Sequence, residues 1–400
     1  MKKLFFLLPV AAAALASCSS NEAGEQVAQA AQNQELKIFP QVVGNTRGAI
    51  ETTASISSFE LIANGKFGTA ASGEGATNLV VQEFQKTVNK ESGSWVFSDA
   101  SKLYWGDDAT AATFMAYANK GAANYSGGKL TGFTVDEDDP AAHTDLIVAY
   151  NNGTKIDFAS GVPLHFQHAL SQVIVNANYT FDSSIQNDYP NVTVKVKGVK
   201  FVNADKTGTL TLPTSSTVSG YTADWTLSGT NTAKFASEPA TAVTLSSTNA
   251  LVDNSAAAGP MLLLPQTQAA TSDLSAATVT GAYLLVKVDI DYEAAQTVTG
   301  DTYKHIDLYP APQNALTTDQ TTGEGTFDWI AVPLNIDWKA GYKYTYTLNF
   351  SNAAFGKIAK ESQTDPGDAG EPIVDELLTE VTFLVTVESE WTEQSVTPSM

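Results

Sequence analysis

Short apolar runs separated by turn-forming residues dominate this chain. Runs of about four to eight residues rich in Val, Thr, Ala, Ile and Tyr alternate with Gly, Asn, Asp and Pro, which is the pattern of β-strands joined by turns. No stretch keeps the 3.6-residue period of an amphipathic helix. The sequence therefore predicts an all-β protein.

Several of these runs predict strands with one apolar face. In residues 102–119, for example, Phe114, Ala116 and Ala118 fall on the same face of an extended chain. Residues 127–139 are instead rich in Gly and Asp and predict a loop. The other main strand candidates are residues 79–88, 95–98, 145–150, 162–179, 192–202, 261–266, 283–292 and 342–350.

The first 18 residues have the layout of a lipoprotein signal. Lys2 and Lys3 precede an apolar run at residues 4–16, which is too short to span a bilayer. The run leads into the motif Leu-Ala-Ser-Cys at residues 15–18. The last residue of this motif, Cys18, is the only cysteine in the sequence. A disulfide within the chain is therefore impossible, and a lipid-carrying thiol is favoured over a catalytic one.

Residues 19–47 predict a removable N-terminal segment. Residues 19–34 are polar and rich in Ala and Gln, as in a tether. Residues 35–43 are apolar around Pro40, and because proline cannot donate to a ladder, a strand here is predicted to lie at a sheet edge. Arg47, the only arginine, follows the turn-forming residues Gly-Asn-Thr, so we predict proteolytic cleavage between Arg47 and Gly48. The alternative is an ordinary cation in a loop.

The C-terminal part carries one late apolar strand. Residues 353–372 contain Gly, Asp and Pro and predict a linker. The strand predicted at residues 379–391 has an apolar face that needs something to bury it. That face consists of Val381, Phe383, Val385, Val387 and Trp391.

Length and charge restrict the possible functions. Residues 48–400 are too many for one β-sandwich and suit two domains. The formal net charge of −21 argues against nucleic acid or an anionic membrane as a partner.

Two groups of residues contain side chains that can bind metals, but neither group has the spacing of metal ligands. Asp136, Glu137, Asp138 and Asp139 are consecutive, whereas a calcium loop spaces its oxygens around a turn glycine, so a solvated loop is favoured. His165 and His168 have an odd spacing, which places them on opposite faces of a strand. We expect them to pack or hydrogen-bond, and we predict no metal, no cofactor and no enzyme site, since no catalytic motif is found.

Four separated motifs together resemble one family. The chain is similar to the fimbrillins, the type V pilins of Bacteroidales, and the likeness covers nearly all of the chain after Arg47. The motifs are YW and FMAYA at 104–105 and 114–118, LHFQHALSQVIV at 164–175, LLLPQT at 262–267 and WKAGYKYTYTL at 338–348.

The resemblance implies two tandem transthyretin-like β-sandwich domains with a C-terminal donor-strand extension. The expected order is a lipoprotein signal (1–18), a propeptide with a removable strand (19–47), an N-terminal domain (48–162), a C-terminal domain (163–352), and a linker with the donor strand (353–400).

The resemblance also implies a structural shaft subunit of a surface fimbria that supports adhesion. The precursor would be lipidated at Cys18 in the cell outer membrane and cut after Arg47 by an arginine-specific surface protease. It would then join an extracellular head-to-tail homopolymer by donor-strand exchange, with accessory tip and anchor subunits as further partners. The donor is either the strand at 379–391 or, if that strand pairs within its own domain, only the tail beyond it.

A second interpretation is a surface lipoprotein of the same fold that does not polymerise. It would be a tip or anchor subunit, or an adhesin that binds glycan or protein. Four tryptophans would then form a sugar platform, although aromatic residues of sandwiches more often belong to the core. They are Trp95, Trp105, Trp225 and Trp329.

Overall fold

A computed structural model of the chain describes residues 34–42, 54–68, 80–106, 110–181, 192–217, 221–274, 276, 278–294, 304–309, 327–351 and 382–388. Nearly all regular structure in these residues is strand, which confirms the predicted all-β class. The helical exceptions are a 3-10 turn at Pro140–Ala142 and a single helical turn, α1, at Ser255–Ala258.

The strands are, in chain order, β1 (Ile38–Val42), β2 (Ser58–Gly68), β3 (Val80–Glu91), β4 (Ser94–Phe97), β5 (Tyr104–Trp105), β6 (Ala112–Ala118), β7 (Asn124–Ser126), β8 (Lys129–Thr134), β9 (Ile147–Gly153), β10 (Val162–His168), β11 (Ser171–Thr180), β12 (Val192–Ala204), β13 (Thr207–Thr211), β14 (Asp224–Leu227), β15 (Ala233–Ser237), β16 (Val243–Thr244), β17 (Ala250–Leu251), β18 (Met261–Leu263), β19 (Gln266–Gln268), β20 (Tyr283–Ala294), β21 (Lys304–Tyr309), β22 (Asp328–Pro333), β23 (Ile336–Trp338), β24 (Lys343–Ser351) and β25 (Thr382–Glu388).

These strands form several sheets. The largest has the order β1-β10-β9-β6-β2-β3-β4, with β5 paired to β2. A second has the order β17-β11-β24-β25, with β18 on β11, and a third has β15-β12-β20-β21, with β16 on β12 and β22 on β20. Two smaller sheets are β14-β13-β8-β7 and β19-β23.

Two hydrophobic cores lie between these sheets. The first core draws its buried side chains from the largest sheet and its loops, between Leu36 and Phe166. The second core is larger and is built mainly from β11, β12, β20 and β24. It also takes Ile62, Tyr117 and Val148 from the largest sheet, so the two cores share that sheet.

The predicted inward faces are confirmed where the sequence alternates. Phe114, Ala116 and Ala118 of β6 are buried in the first core. In β11, Val173 and Val175 are fully buried in the second core. Alternation therefore located both the strands and the side of each strand that faces the interior.

The loop predicted at residues 127–139 is wrong over β8. This strand pairs with β13, and the register shifts between Gly208 and Leu210. Gly132, on the β8 side of that irregularity, has a φ of +73°. The glycine therefore belongs to a bulge within a strand and does not end one.

Residues 162–179 divide into two strands that belong to different sheets. β10 lies in the largest sheet, and β11 pairs in parallel with β24 in the second sheet. The predicted boundary between residues 162 and 163 thus falls inside β10. The pairing of β8 with β13 also connects a strand that precedes this boundary to one that follows it. Where one domain ends and the next begins stays a prediction.

None of the helices in the described residues has the length and apolar character needed to cross a membrane.

Phe201 on β12 tests the packing of the second core. It is fully buried, and its ring centroid lies 5.5 Å from that of Trp338 and 5.2 Å from that of Tyr346. We expect Phe201→Ala to lower the free energy of unfolding by about 3–5 kcal/mol, because buried area is lost and a cavity remains. Urea unfolding followed by tryptophan fluorescence measures the change.

Phe181 provides the matched control, since 47% of it is exposed. Phe181→Ala should change the free energy of unfolding by no more than about 0.5 kcal/mol. Similar losses in the two variants would show that the described core does not hold Phe201.

Candidate functional site

The segment that precedes the predicted cleavage site forms an edge strand of the largest sheet. β1 pairs with β10 in parallel, with Ile38 opposite Val162 and Val42 opposite Phe166. β1 ends the order of strands in this sheet as far as the structure describes them. The prediction of an edge strand around Pro40 is confirmed.

The direction of the backbone groups explains why proline is tolerated in β1. The Lys37 carbonyl accepts a hydrogen bond from the N–H of Val162 at 2.8 Å, whereas the N–H of Leu36 donates the other way, to Leu103, at 2.7 Å. Backbone groups of successive strand residues point in opposite directions. Pro40 has the parity of Leu36, so its nitrogen faces away from β10 and the ladder loses no bond.

The inner face of β1 completes the first core. Leu36, Ile38 and Val42 are only 5%, 4% and 1% exposed, and Pro40 between them is also buried. Each fully buried aliphatic side chain contributes roughly 1.5–3 kcal/mol relative to an exposed one. The first core therefore depends on a strand that lies N-terminal to Arg47.

The outer face of β1 packs on a glycine. Phe39 is 46% exposed, and a Cβ atom added to Gly161 would lie only 2.2 Å from Cε2 of its ring. Gly161 also has a φ of +117°, which other residues adopt with strain. The absence of a side chain at position 161 leaves room for the ring.

The residues just before β1 attach this segment at a second point, near β5. The Gln34 side chain donates from Nε2 to the Phe158 carbonyl at 3.1 Å, and the Gln34 carbonyl accepts from the N–H of Trp105 at 3.0 Å. Glu35 forms an exposed ion pair with Lys102 at 3.4 Å. Residues 34–42 are thus tied to β10 at one end and to the region of β5 at the other.

An open cavity of about 200 Å³ lies beside β1. One wall is formed by the N-terminal half of the segment, through Glu35, Leu36 and Ile38. The opposite wall comes from β3, β4 and the loop after β4, through Val88, Glu91, Trp95, Val96, Phe97, Ser98, Ala100, Ser101, Lys102 and Leu103. β1 therefore leaves part of its groove unfilled.

Most of the residues predicted for lipidation, cleavage and strand donation lie outside the described residues. These are Cys18, Arg47, Gly48, Val381 and Trp391. Their roles stay predictions.

Phe383, Val385 and Val387 lie on β25, whose backbone is described. β25 pairs antiparallel with β24 of the same chain, from Lys343 opposite Glu388 to Asn349 opposite Thr382. It forms the end of the second sheet in the described order. β25 thus has a partner within its own chain.

Three of the four consecutive carboxylates, those of Asp136, Glu137 and Asp139, accept hydrogen bonds from the protein itself. Asp136 Oδ1 accepts hydrogen bonds from the N–H groups of Asp138 and Asp139, both at 2.9 Å, and these donors lower the pKa of Asp136. Glu137 accepts from the N–H of Lys234 at 2.9 Å and pairs with the Lys206 ammonium. In the part of the chain that is described, no three His, Cys, Asp or Glu residues are grouped as metal ligands would be.

His165 and His168 lie on opposite faces of β10, as predicted from their spacing. His165 is half-buried, whereas His168 is buried and its Nδ1 lies 2.9 Å from Oδ2 of Asp145, which is also buried. The expectation of packing or hydrogen bonding is confirmed for His168.

The four tryptophans considered for a sugar platform belong to three different clusters. Trp105 belongs to the first core and Trp95 packs against it, Trp225 packs against the second core, and Trp329 belongs to a small cluster on β12, β20 and β22. Trp105 and Trp329 are 2% and 8% exposed. The described structure does not bring the four rings onto one surface.

One charged cluster is not predicted by the sequence. The Lys195 ammonium lies 3.2 Å from Asp289 and 2.8 Å from Asp291 on the neighbouring strand, and burial together with the charge of Asp291 raises the pKa of Asp289 to about 6. The alternating charges of β12 and β20 were visible in the sequence, but their register was not. The Lys195 ammonium lies between the two carboxylates and compensates one of their two negative charges.

His143, in the loop before β9, is expected to make the stability of the fold depend on pH. Its Nε2–H donates to the Asp136 carbonyl at 2.8 Å, and its Nδ1 accepts from the N–H of Leu262 at 3.0 Å, so the neutral ring fits this place. Burial lowers the pKa of His143 below its ordinary value of 6.5.

We expect His143 to reduce stability as the pH falls below about 6.5, because the unfolded chain then takes up a proton that the folded chain refuses. The loss should approach about 1.4 kcal/mol per pH unit until the folded pKa is reached. Urea unfolding at several pH values measures the slope. His143→Asn keeps an acceptor for Leu262 without titrating, so an equally steep slope in that variant would contradict this role.

Comparison with known proteins places the chain among fimbrial sequences. The family model described as fimbrillin-like matches residues 42–304. A search of curated proteins gives no match.

The chain is also similar to solved structures from Bacteroides and Parabacteroides species. A fimbrial protein from Bacteroides vulgatus is 16% identical, with a TM-score of 0.48 over 90% of this chain and 100% of that chain. A candidate cell adhesion protein from Parabacteroides distasonis is 12% identical, with a TM-score of 0.45 over 91% of this chain and 99% of that chain.

The family match begins at the last residue of β1 and ends at the first residue of β21, so it covers most of the first core and part of the second. It covers well over half of the chain. The chain therefore belongs to the fimbrillin-like family.

Proposed function

We propose that this protein is a structural shaft subunit of a surface fimbria, that it has no enzymatic role, and that it supports adhesion. It is exported as a lipoprotein attached through Cys18 to the outer membrane. Proteolysis after Arg47 releases it, and donor-strand exchange joins the mature subunits outside the cell. Membership of the fimbrillin-like family supports the fimbrial role.

The observation that carries this proposal is the place of β1. A strand that completes both a sheet and a core lies on the N-terminal side of the only arginine in the chain. Cleavage at that arginine separates the strand from the rest of the protein without breaking any other part of the sheet.

Loss of β1 would leave a groove that is unfavourable to expose for two reasons. The edge of β10 would present backbone groups without partners, and the core would expose the surface that Leu36, Ile38 and Val42 now cover. An extended peptide meets both needs at once, because it supplies a ladder and alternating side chains.

A donor strand from a second copy would make a contact that does not close on itself. The groove lies on the N-terminal part of one subunit, and the donor comes from the C-terminus of the next. Such head-to-tail contacts propagate into filaments. Accessory subunits would begin or end the filament where a donor strand or a cleavage site is lacking.

We also propose that the chain folds as two tandem sandwich domains. The two hydrophobic cores support this division, since the first takes its side chains from residues 36–166 and the second mainly from later strands. Because β10 belongs to the largest sheet, the division lies after His168 in this proposal, slightly later than residue 162.

A second candidate function is a surface lipoprotein that stays monomeric. It is favoured by the pairing of β25 with β24, which gives the apolar C-terminal strand a partner without a neighbouring subunit. In this case the lipid and the propeptide are retained, and the protein acts as an anchor or as an adhesin.

Replacement of Arg47 tests the processing step. We expect Arg47→Ala to leave lipidated monomers on the cell, because β1 stays covalently attached and keeps the groove closed. Arg47→Lys should do the same, since an arginine-specific protease does not cut after lysine. Heat-resistant ladders in gels of surface-sheared material measure assembly.

Arg47→Lys also separates processing from the alternative of an ordinary loop cation. If position 47 needs only a positive charge, Arg47→Lys assembles and Arg47→Ala does not. Ladders from both variants at the wild-type level would refute the need for cleavage.

The mature N-terminus separates the two candidate functions. A shaft subunit should begin at Gly48, and mass spectrometry of sheared surface protein identifies that end directly. Surface material that still begins at a lipidated Cys18 would favour the monomeric lipoprotein. Cys18→Ser serves as the control, because it should abolish the lipid-bearing species in either case.

A further inference from the structure

Two carboxylates lie beside each other on one strand of the third sheet. Asp289 and Asp291 of β20 are separated by Ile290, which is buried in the second core, so both carboxylates lie on the opposite face of the strand. Lys195 of β12 is the register partner of Asp289. Its ammonium contacts Oδ2 of Asp289 at 3.2 Å and Oδ2 of Asp291 at 2.8 Å. When all three groups are ionised, the cluster has one negative charge in excess.

The second oxygen of each carboxylate is buried without a donor. The side chains of Asp289 and Asp291 are only 1% and 12% exposed. Among the residues that the structure describes, neither Oδ1 atom has a hydrogen-bond partner. A buried polar atom without a hydrogen bond costs free energy, and a buried charge without a counter-charge costs more. The pair thus lacks one positive charge and one hydrogen bond in the same place.

One added proton supplies both. The carboxyl groups of Asp289 and Asp291 are within hydrogen-bonding reach of each other, so a proton on one can be donated to the other. Burial and the charge of Asp291 raise the pKa of Asp289 in the direction that this requires. Although burial opposes it, the pKa of Lys195 is also raised, because the two carboxylates favour the ammonium. Lys195 therefore stays cationic, and the proton balances the remaining charge.

The other basic side chains near the pair have partners of their own. Lys197 of β12 donates to the Ala240 carbonyl at 2.7 Å, and Lys287 of β20 pairs with Glu238 at 3.5 Å. β16, which pairs with β12 at Lys195, consists of uncharged residues. In the described part of these strands, Lys195 is thus the cation that contacts both carboxylates.

The remaining neighbours of β20 add negative charge. Asp307 of β21 is the register partner of Asp291, and the basic residues at 304–305 lie farther along that ladder. Like charges directly opposite each other are unfavourable, so this register also favours protonation. On β22, Asp328 lies opposite Val288, whose side chain is in the second core, and therefore belongs to the other face of the sheet.

We propose that Asp289 and Asp291 form a proton-binding pair, in which one proton shared between their buried carboxyl groups strengthens the contact of β20 with β12 in mild acid. This inference goes beyond the proposed function and does not depend on it. A calcium ion fits the pair less well, since it takes about six to eight oxygen ligands and the Lys195 ammonium already contacts both carboxylates.

Mild acid should therefore stabilise the fold through this pair. The folded chain binds the shared proton more tightly than the unfolded chain, in which the two aspartates are hydrated and apart. Folding takes up a proton between the ordinary pKa of 3.8 and about 6, and the contribution is lost as the pH rises above that range. The folding equilibrium constant should rise by up to about tenfold for each pH unit of acidification. This effect is opposite in sign to the one expected of His143.

Replacement of either aspartate by asparagine tests the pair, because an amide is neutral at every pH and can still donate to the other carboxylate. Urea unfolding at several pH values gives the folding equilibrium constants of wild type, Asp289→Asn and Asp291→Asn. We expect the ratio of the wild-type constant to that of either variant to rise by about tenfold from pH 7 to pH 5. A ratio that does not change with pH would overturn the inference.

Asp337→Asn is the matched control. Asp337 forms an ion pair with Lys339 at 3.6 Å, but 64% and 62% of these side chains are exposed. Because exposed ion pairs contribute little, the ratio for this variant should change by less than about twofold over the same pH range. A tenfold change here as well would show that burial of the pair is not the cause, and would overturn the inference.

Carbon-13 NMR of the folded wild-type protein detects the shared proton directly. We expect one carboxyl group of the pair to titrate well above the ordinary range of aspartate, and the asparagine variants assign its resonance. Asp289→Glu, which keeps a carboxyl group, provides the assignment if the asparagine variants do not fold. If both carboxyl groups titrate at or below the ordinary aspartate pKa, the pair does not bind a proton and the inference fails.

Thermal unfolding at neutral pH, with an excess of calcium chloride or of EDTA, tests for a metal ion in place of the proton. We expect the same midpoint in both conditions. A midpoint that calcium raises in the wild type but not in Asp289→Asn would show that a metal ion binds between the carboxylates, and would overturn the proton-binding pair.

Discussion

The parallel pairing of β1 with β10 is the contact on which the rest of the molecule depends. A sheet edge exposes unpaired backbone groups, and the face beneath it exposes apolar side chains. β1 satisfies the first need through its ladder to β10 and the second through Leu36, Ile38 and Val42. The first core is thus completed by a short strand that is joined to the rest of the core through the segment that contains Arg47.

β10 also connects this edge to the interior of the second sheet. It continues through Ala169 and Leu170 into β11, which lies between β17 and β24. The Ala169 carbonyl accepts a hydrogen bond from Trp225 Nε1 at 2.8 Å, and the Leu170 carbonyl accepts one from the N–H of Gly341 at 2.8 Å. The turn between β10 and β11 is therefore held by hydrogen bonds from two other parts of the chain.

The sequence predicted local features better than partners. Alternation located β6, β11 and β12 and their inward faces, because the side-chain period of a strand is a local property. The sequence predicts a loop where β8 lies, since Gly132 in a bulge has the same signature as a turn glycine. Pro40 correctly predicted an edge strand, but nothing in residues 35–43 indicated a parallel partner more than a hundred residues away. The cavity depends on the meeting of β1 with β3 and β4, so no single stretch of sequence contains it.

The proposed strand exchange would replace one ladder by another of similar kind. Within its own chain, β25 pairs with β24 from Thr382 to Glu388, and β1 pairs with β10 from Ile38 to Val42. Hydrogen bonds in two such ladders contribute comparable net free energies, about 0.5–1.5 kcal/mol each, so they nearly cancel when one ladder replaces another. The difference must then come from side-chain packing, where one well-filled cavity is worth several such bonds. Under the proposed function, the balance between the propeptide and a donor strand is therefore expected to depend on how the side chains pack in the groove.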